Sequence, residues 1–287
     1  MEVHEITADR ILNPTSIDLG EYVINPYLGC EYSCLYCYVQ SNKNVVKRKR
    51  PWGSYVDIRG NALALLEKEI AIKRPKTVLL GSTTECFQPI ERERQLTGKI
   101  LTMLNTYRVS YVILTRSPFI VDAIHLLDRG FCKRVYFTLN NFPEKFKQLV
   151  EPKSPAFVSR INAVRKLLDE GIDVIPYYSP VIPWVTNIDE AFSSFEKAKR
   201  IEFEYLNFQT KNIREIITNI SLLDTTLQEK LTAMFQKKDY HEKIWNELDK
   251  KIGIQAQIAK KEYKVYKHKF GDFFQNTYLS NNSKKET

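Results

Sequence analysis

The sequence predicts an α/β protein, a partial (β/α)6 TIM-type barrel followed by a helical C-terminal extension. Short runs of β-branched and aromatic residues alternate six times with polar turns and with segments whose apolar residues recur at helical spacing. Strands and helices that alternate in this way form a parallel sheet with right-handed crossovers, and six units give an open version of the eight-unit barrel. A chain of 287 residues is long enough for one such domain and a small appendage.

The elements follow in chain order. Candidate strands lie at residues 22–27, 77–82, 110–115, 134–140, 172–178 and 203–208. Helical patterns lie between them at residues 61–72, 90–107, 119–129, 155–170 and 187–200. Gly130 and Gly171 follow two of these patterns, in the position where a glycine commonly ends a helix.

The alternation stops near Lys211, and we expect two domains: residues 1–210 as the core and residues 211–287 as a helical, lysine-rich extension. Several lysines of the extension crowd among aromatic residues: Lys260, Lys261, Lys264, Lys267 and Lys269 among Tyr263, Tyr266 and Phe270. Residues 280–287 are polar and are expected to fray.

Composition narrows the class of protein. Hydrophobic residues make up 43% of the chain and charged residues 27%, which is typical of a globular protein. The start lacks a basic segment followed by an apolar run, and no stretch approaches the length of a membrane span, so we expect a cytoplasmic protein. The net charge of +9 is compatible with a nucleic-acid partner but is also common in proteins without one.

Three of the five cysteines are crowded into one short segment. Cys30, Cys34 and Cys37 have the spacing C-x3-C-x2-C directly after the first strand. This position lies on the rim formed by the C-terminal ends of the parallel strands, where active sites of such folds are found. Three thiolates can bind three irons of a cubane cluster and leave the fourth iron open for chemistry. The alternatives are a zinc site completed by a distant residue, or three ordinary thiols.

The cysteine segment resembles the radical SAM superfamily, in which C-x3-C-x2-C carries an aromatic residue before the last cysteine, here Tyr36. The resemblance implies a [4Fe-4S] cluster and S-adenosylmethionine (SAM) as cofactors. In that superfamily SAM chelates the open iron, and an electron from the reduced cluster yields a 5′-deoxyadenosyl radical that abstracts hydrogen from the substrate. A protein electron donor such as flavodoxin or ferredoxin is also implied.

The loop 34–40, Cys-Leu-Tyr-Cys-Tyr-Val-Gln, looks like that of the spore photoproduct lyase branch and its DNA repair photolyase-like relatives. Other blocks similar to those of the relatives occur in the same order: Phe87 to Glu91 with Leu96 and Thr97, Glu151 to Pro155 with Arg160, and Pro180 to Pro183. The resemblance runs from about Asn25 to Phe208.

The resemblance also implies a SAM pocket. Ser82, Thr84 and Glu85 stand after the second strand, where the superfamily has a motif that binds the SAM amino group. Arg116 takes the place of a lysine that contacts the SAM carboxylate, and the substitution retains the charge. Thr138 stands where the family places a small hydroxyl residue. The alternative for Ser82, Thr84 and Glu85 is a helix cap. For Arg116 it is a surface position, and for Thr138 it is a packing role.

Two tyrosines and one further cysteine are candidates for the chemistry itself. In the lyase branch, tyrosines at the places of Tyr36 and Tyr38 belong to the SAM pocket and to a proposed hydrogen-atom relay. The lyase has a hydrogen-donating cysteine near the end of this strand, and the corresponding position here holds Ser82 or Thr83. Cys86 lies three or four residues later. Cys86 is therefore a candidate catalytic residue, with a buried structural thiol as the alternative.

The substrate class stays open at this point. The basic run 47–50 with Trp52, together with the lysine-rich stretch 260–269, suits a phosphate-binding surface, although charge runs are usually only solvated. Nucleic acid is the expected substrate, for repair or modification. The alternatives are a radical SAM enzyme acting on a peptide or small molecule, and a non-catalytic metal-loop protein that binds nucleic acid.

Overall fold

The computed structural model describes residues 1–208, 212–221, 223–268 and 270. The strands of this part, in chain order, are β1 (Glu2–Ile6), β2 (Asn13–Pro14), β3 (Tyr22–Ile24), β4 (Tyr27–Leu28), β5 (Tyr55–Arg59), β6 (Thr77–Leu80), β7 (Ser110–Thr115), β8 (Cys132–Leu139), β9 (Val174–Val181), β10 (Arg200–Tyr205) and β11 (Glu262–Tyr266).

The α-helices are α1 (Lys43–Val46), α2 (Ala62–Lys73), α3 (Glu91–Arg94), α4 (Leu96–Thr106), α5 (Glu144–Val150), α6 (Phe157–Asp169), α7 (Ile213–Ile220), α8 (Thr225–Gln236) and α9 (Lys238–Ala259). Two 3-10 helices cover Tyr38–Ser41 and Pro118–Leu126.

The main sheet confirms the α/β fold class. Within the described residues its order is β11-β10-β9-β8-β7-β6-β3-β2, and all neighbours are parallel except the short edge strand β2. Each of the six predicted strands contributes a strand to this sheet; the strand at residues 110–115 has the predicted bounds, and the other five have shifted ends. A second sheet, β1-β5-β4, stands beside the first and was not predicted from the sequence.

The two faces of the main sheet have different environments because side chains alternate along each strand. Val78, Tyr111 and Val135 belong to the large core between the sheet and the helices. Leu79 and Tyr136, on the opposite face, belong to a smaller cluster inside the curved sheet. The inner face therefore buries fewer apolar side chains than the outer face. The polar loops that follow the strands meet at the carboxyl ends of the strands.

The helix predicted at residues 187–200 is wrong. The segment folds as successive turns, although it buries the apolar residues that produced the helical spacing, among them Phe192 and Phe195. Ser193 donates its hydroxyl to the Glu190 carbonyl, and Asn187 accepts from the Asp189 amide. Such side chains compete for backbone hydrogen bonds and so favour turns over a continuous helix.

Two other predicted helices differ in detail. The pattern at residues 90–107 forms α3 and α4, which are separated by Gln95 in the left-handed region with a φ of 51°. The pattern at residues 119–129 forms a 3-10 helix that ends at Leu126. In both cases the apolar spacing marks the buried side of the segment without determining the hydrogen-bonding pattern.

The C-terminal extension contains a strand that the sequence did not reveal. Three helices, α7 to α9, are followed by β11, which pairs in parallel with β10 and adds a seventh parallel strand to the main sheet. Lys264 within it and the flanking Lys260, Lys261 and Lys267 give the segment a charge that is common on an edge strand, and they obscure the strand pattern. The boundary at residue 210 stays a prediction, and residues 271–287, including the stretch expected to fray, lie outside the described residues.

In the described part of the chain, no helix combines the length and apolar content that crossing a bilayer requires.

Candidate functional site

The cysteine loop begins at the end of β4 and is pressed against β5. Gly29 has a φ of 91°, and a Cβ there would lie 2.4 Å from the carbonyl oxygen of Tyr55. Ser33, in the middle of the loop, is also left-handed, with a φ of 53°. A glycine is required at position 29 both by this conformation and by the close approach to β5.

The three thiols of the loop lie near one another. The sulfur of Cys30 accepts hydrogen bonds from backbone N–H groups of Glu85 and Tyr32. Burial, together with the neighbouring Cys34, raises the pKa of Cys37 to about 12 and raises that of Cys30. Thiols with raised pKa values release their protons when a metal binds, because thiolate is the ligand form.

The donor set fits a cubane cluster. Among the described residues, no group of three or more Cys, His, Asp or Glu side chains converges on a single metal ion. A cubane does not need such convergence, because each of its irons takes its own thiolate. Three sulfurs on one short loop that begins at Gly29, with N–H donors around them, therefore suit an iron–sulfur cluster in which one iron has no protein ligand.

The loop after β6 contacts Asn25, which follows β3, and Tyr38, at the end of the cysteine loop. The Asn25 amide donates to the Ser82 hydroxyl at 3.3 Å and accepts from the Thr83 backbone N–H at 2.9 Å. The Tyr38 hydroxyl donates to the Ser82 carbonyl at 2.6 Å. Ser82 and Tyr38, which the sequence predicted to share a pocket, are thus brought into contact.

Thr84 and Glu85 have structural contacts. The Thr84 hydroxyl donates to the Gly29 carbonyl at 2.7 Å and so fastens the start of the cysteine loop. The Glu85 carboxylate accepts from the Thr115 hydroxyl at 2.6 Å and from the Arg116 backbone N–H at 2.8 Å, which ties the end of β6 to the end of β7. Burial raises the pKa of Glu85. Their contact with the SAM amino group stays a prediction.

Arg116 faces the cysteine loop. One terminal nitrogen, Nη1, lies 3.2 Å from the Cys34 sulfur, 2.7 Å from the Tyr36 hydroxyl and 3.2 Å from a Glu151 carboxylate oxygen. Asn140, at the end of β8, donates to the same hydroxyl at 2.7 Å. The structure therefore brings together Arg116 and Tyr36, both predicted to contact SAM, and links them to a buried carboxylate.

Glu151 and Arg160 form a buried ion pair beneath this group. Their side chains are 0% and 1% exposed, and the Arg160 guanidinium also donates to the Pro155 carbonyl at 3.0 Å. Burial by itself raises the pKa of the Glu151 carboxyl, but the positive charges of Arg160 and Arg116 outweigh it and bring the pKa down to about 2. The carboxylate is therefore charged at neutral pH.

Thr138 lies on the inner face of β8, opposite Tyr177 of β9, and the pairing of Thr115 with Phe137 places it next to Arg116 at the end of β7. The neighbouring strands β9 and β10 carry polar side chains there. The hydroxyls of Tyr177 and Ser179 donate to Glu204 at 2.9 and 2.6 Å, and His268 lies 3.2 Å from the same carboxylate. Thr138 therefore borders a polar inner wall, as the SAM assignment requires, and its role stays a prediction.

Cys86 is completely buried in the core between the sheet and the helices. Its sulfur would lie 3.2 Å from a Cβ at Gly81, and burial raises its pKa well above the usual range. This environment is the one expected for a structural thiol, while a role as hydrogen donor stays a prediction.

Part of the basic run 47–50 is neutralised. Arg50 makes a forked contact with Asp57, at 2.6 and 2.8 Å, and lies over the Tyr55 ring at 3.9 Å. Arg48 adds a 3.4 Å contact to Asp57. These arginines hold the segment after the cysteine loop to β5. Lys47 and Lys49 are exposed cations of the run for which the described part of the chain shows no ion pair.

The lysine-rich stretch is likewise used for folding. The Lys261 ammonium donates to the carbonyls of Phe195, Glu196 and Ala198 at 2.6 to 2.9 Å. Lys267 pairs with Asp249, and Lys269 lies outside the described residues. The two stretches therefore present fewer available cations than the sequence suggests.

The sequence did not single out Asn25 or Asn140, and it did not show that Glu151 pairs with Arg160 and contacts Arg116 and Tyr36. Each asparagine is a buried polar residue at the end of an apolar strand, and that position was the available signal. Ser154 was seen only as part of a block, yet its hydroxyl lies 3.5 Å from the Cys34 sulfur. Nothing local in the sequence indicates that contact.

Comparison with known proteins agrees with the geometry. The family model of the Radical SAM superfamily matches residues 24–194. An uncharacterized protein of Methanocaldococcus jannaschii is 30% identical over 253 residues, covering 83% of this chain and 95% of the relative.

Two solved structures have the same fold. Spore photoproduct lyase complexed with dinucleoside spore photoproduct has a TM-score of 0.64 at 18% identity, covering 93% of this chain and 82% of that chain. A variant of the lyase with bound AdoMet and the same dinucleoside has a TM-score of 0.64 at 18% identity, covering 92% and 81%. The chain belongs to the radical SAM superfamily, and it is an enzyme whose cofactors are a [4Fe-4S] cluster and SAM.

Proposed function

We propose that this enzyme acts on nucleic acid, in a repair or modification reaction that begins with hydrogen abstraction from a base, a sugar or a methyl group. The observation that carries the proposal is the likeness, along 93% of the chain, to a lyase that was solved with a dinucleoside lesion bound. The net charge of +9 is in keeping with a polyanionic substrate.

The residues have the following proposed roles. Cys30, Cys34 and Cys37 hold the cluster, which together with SAM supplies the one-electron cleavage that starts hydrogen abstraction. The SAM pocket is formed by Tyr36, Ser82, Thr84, Glu85, Arg116 and Thr138. Tyr38 and Cys86 are the candidates for hydrogen transfer, and an electron donor such as flavodoxin or ferredoxin reduces the cluster.

Tyr38 is the better placed of the two hydrogen-transfer candidates. Its hydroxyl reaches the Ser82 carbonyl on the rim, where a substrate would meet SAM, whereas the Cys86 thiol lies in the core on the other side of the sheet. Tyr38→Phe removes the hydroxyl without changing the ring. We expect it to leave reductive SAM cleavage intact and to slow the step that consumes substrate.

The substrate class is tested by binding. Single-stranded and duplex DNA, RNA and a peptide pool are titrated with the reconstituted protein at several salt concentrations. For nucleic acid we expect tight binding whose affinity falls steeply as salt increases, because phosphate contacts release counterions. Equal or tighter binding of the peptides, with no salt dependence, would contradict the proposal and favour the peptide alternative.

A matched pair of variants locates the phosphate contacts. Lys47→Gln with Lys49→Gln removes two exposed cations next to the cysteine loop, whereas Lys68→Gln with Lys99→Gln removes two exposed cations on helices α2 and α4. We expect the first pair to reduce the salt slope by about one to two, and the second to leave it unchanged.

Catalysis is tested separately from binding. After anaerobic reconstitution with iron and sulfide, addition of dithionite and SAM is expected to yield 5′-deoxyadenosine and methionine. Addition of the nucleic acid that binds most tightly is expected to increase this yield and to change the mass of the nucleic acid.

A further inference from the structure

The segment 150–154 contacts the cysteine loop at three successive points. The Val150 carbonyl accepts from the Leu35 backbone N–H at 2.8 Å. The Glu151 carboxylate accepts from the Tyr36 hydroxyl. The Ser154 hydroxyl lies 3.5 Å from the Cys34 sulfur. A segment with these three contacts covers one side of Cys34, a predicted cluster ligand.

The sulfur of Cys34 differs from the other two in the donors that surround it. Cys30 and Cys37 receive hydrogen bonds from backbone N–H groups. Cys34 is approached by two side chains, the Ser154 hydroxyl at 3.5 Å and the Arg116 guanidinium at 3.2 Å. One of the two donors carries a full positive charge, so the electrostatic environment of the three thiolates is unequal.

Both donors are held in place by Glu151, one through its carboxylate and the other through its backbone carbonyl. Glu151 accepts from Arg116 at 3.2 Å, and the Glu151 carbonyl accepts from the Ser154 backbone N–H at 3.1 Å. Arg160, itself 1% exposed, holds the other carboxylate oxygen of Glu151. Arg116 therefore cannot turn away from Cys34 without breaking a contact to a buried charge, and the backbone of Ser154 is fixed by its hydrogen bond to the same residue.

We propose that Ser154 and Arg116 donate hydrogen bonds to the Cys34 thiolate and raise the reduction potential of the cluster, with Glu151 and Arg160 as their positioning residues. Reduction adds one electron from an external reductant and spreads one more negative charge over the sulfurs. Hydrogen bonds and a positive charge at a ligand sulfur stabilise that added charge. The inference rests on the cofactor and is independent of the substrate.

The test is an anaerobic potentiometric titration of the reconstituted enzyme without SAM, with dithionite as reductant and electron paramagnetic resonance as readout. For Ser154→Ala we expect the ratio of reduced to oxidised cluster at a fixed potential to fall at least threefold. For a one-electron couple this is a shift of about 28 mV to more negative values.

Two controls accompany this variant. Ser154→Thr retains the hydroxyl and is expected to keep the wild-type midpoint. Ser193→Ala removes an exposed hydroxyl far from the loop, one that donates to a backbone carbonyl at 3.3 Å, and is also expected to keep it. A role in folding alone would lower the melting temperature of Ser154→Ala without moving the midpoint, and that result would overturn the proposal.

Arg116→Gln provides a second measurement that does not depend on Ser154. It removes the charged donor, and we expect a shift in the same direction and larger than that of Ser154→Ala. If Ser154→Ala does not retain iron, Arg116→Gln decides, because an unchanged midpoint there would overturn the proposal as well.

Discussion

Glu151 is a buried carboxylate that holds together the polar contacts beside the cysteine loop. It is enclosed by the guanidinium groups of Arg160 and Arg116, the Tyr36 hydroxyl and the Asn140 amide. A buried pair of this kind contributes little net stability compared with apolar packing, but loss of one partner leaves an uncompensated buried charge. The position of Tyr36 and Arg116 beside the loop therefore depends on this side chain.

The substitution Glu151→Gln is expected to lower the free energy of unfolding by about 3 to 5 kcal/mol, because Arg160 remains buried without a counterion. Urea denaturation of the metal-free protein measures it. Asp169→Asn, which breaks the exposed pair with Lys197, is the control and should cost less than about 1 kcal/mol. A loss below that level for Glu151→Gln would show that the buried pair is dispensable.

The same residue predicts a pH dependence. The pKa of Glu151 in the folded protein is about 2, below its ordinary value of 4.5, so the folded state binds this proton less readily than the unfolded state does. Its contribution to stability is complete above pH 4.5 and is lost as the pH falls toward 2. We expect the stability difference between wild type and Glu151→Gln, measured by urea denaturation, to shrink between pH 6 and pH 3. A difference that stays constant over this interval would contradict the assignment.

At the scale of elements, the cysteine loop depends on the contact between its first residue and β5. Gly29 lies against the Tyr55 carbonyl, Thr84 fastens its carbonyl from the β6 loop, and Gln40 donates to the carbonyls of Cys34 and Leu35 at 3.1 Å. Two elements distant in sequence, β5 and the β6 loop, and one residue adjacent to the loop thus shape it. These contacts are made within the protein and need no metal.

Gly29→Ala is expected to reduce both stability and iron content, because alanine disfavours the left-handed backbone at this position and its methyl group clashes with the Tyr55 carbonyl. Iron per chain after reconstitution measures the effect, and we expect a loss of more than half. Gly98→Ala, inside α4, is the control, since its Cβ meets only the end of the Leu126 side chain at 3.3 Å. Equal iron content in the two variants would argue against a preformed loop.

At the scale of the molecule, the C-terminal extension completes the sheet. The Tyr205 ring stacks on Trp245 of α9 with centroids 4.1 Å apart, and its hydroxyl donates to Asp249 at 2.7 Å. The Tyr266 hydroxyl of β11 donates to Glu202, whose side chain is buried. Removing the extension would expose these groups to water or leave them without partners.

We therefore expect residues 1–210, expressed alone, to melt at a temperature lower by roughly 10 °C or more than the full chain, since several buried contacts are lost together. Differential scanning fluorimetry of both forms makes the comparison. A truncated chain that melts at the temperature of the full chain would establish residues 1–210 as an independent folding unit, as the sequence predicted.

The sequence predicts well what depends on local pattern. The six strands and most of the helices follow from periodicity, although periodicity could not separate the turns at residues 187–200 from a helix, because both bury the same apolar positions. Strand β11 was missed because the lysines in and around it reflect an edge position, which is a property of the sheet and not of the segment.

By itself the sequence determined the family and predicted the cysteine ligands, because spacing within a loop is a local property. Only the tertiary structure decided what surrounds those ligands. Ser154 and Arg116 reach Cys34 across 120 and 82 residues of chain, and Glu85 proves to be a tie between two strands. Such partners are chosen by the packing of distant elements, and no local pattern records which side chains that packing will bring together.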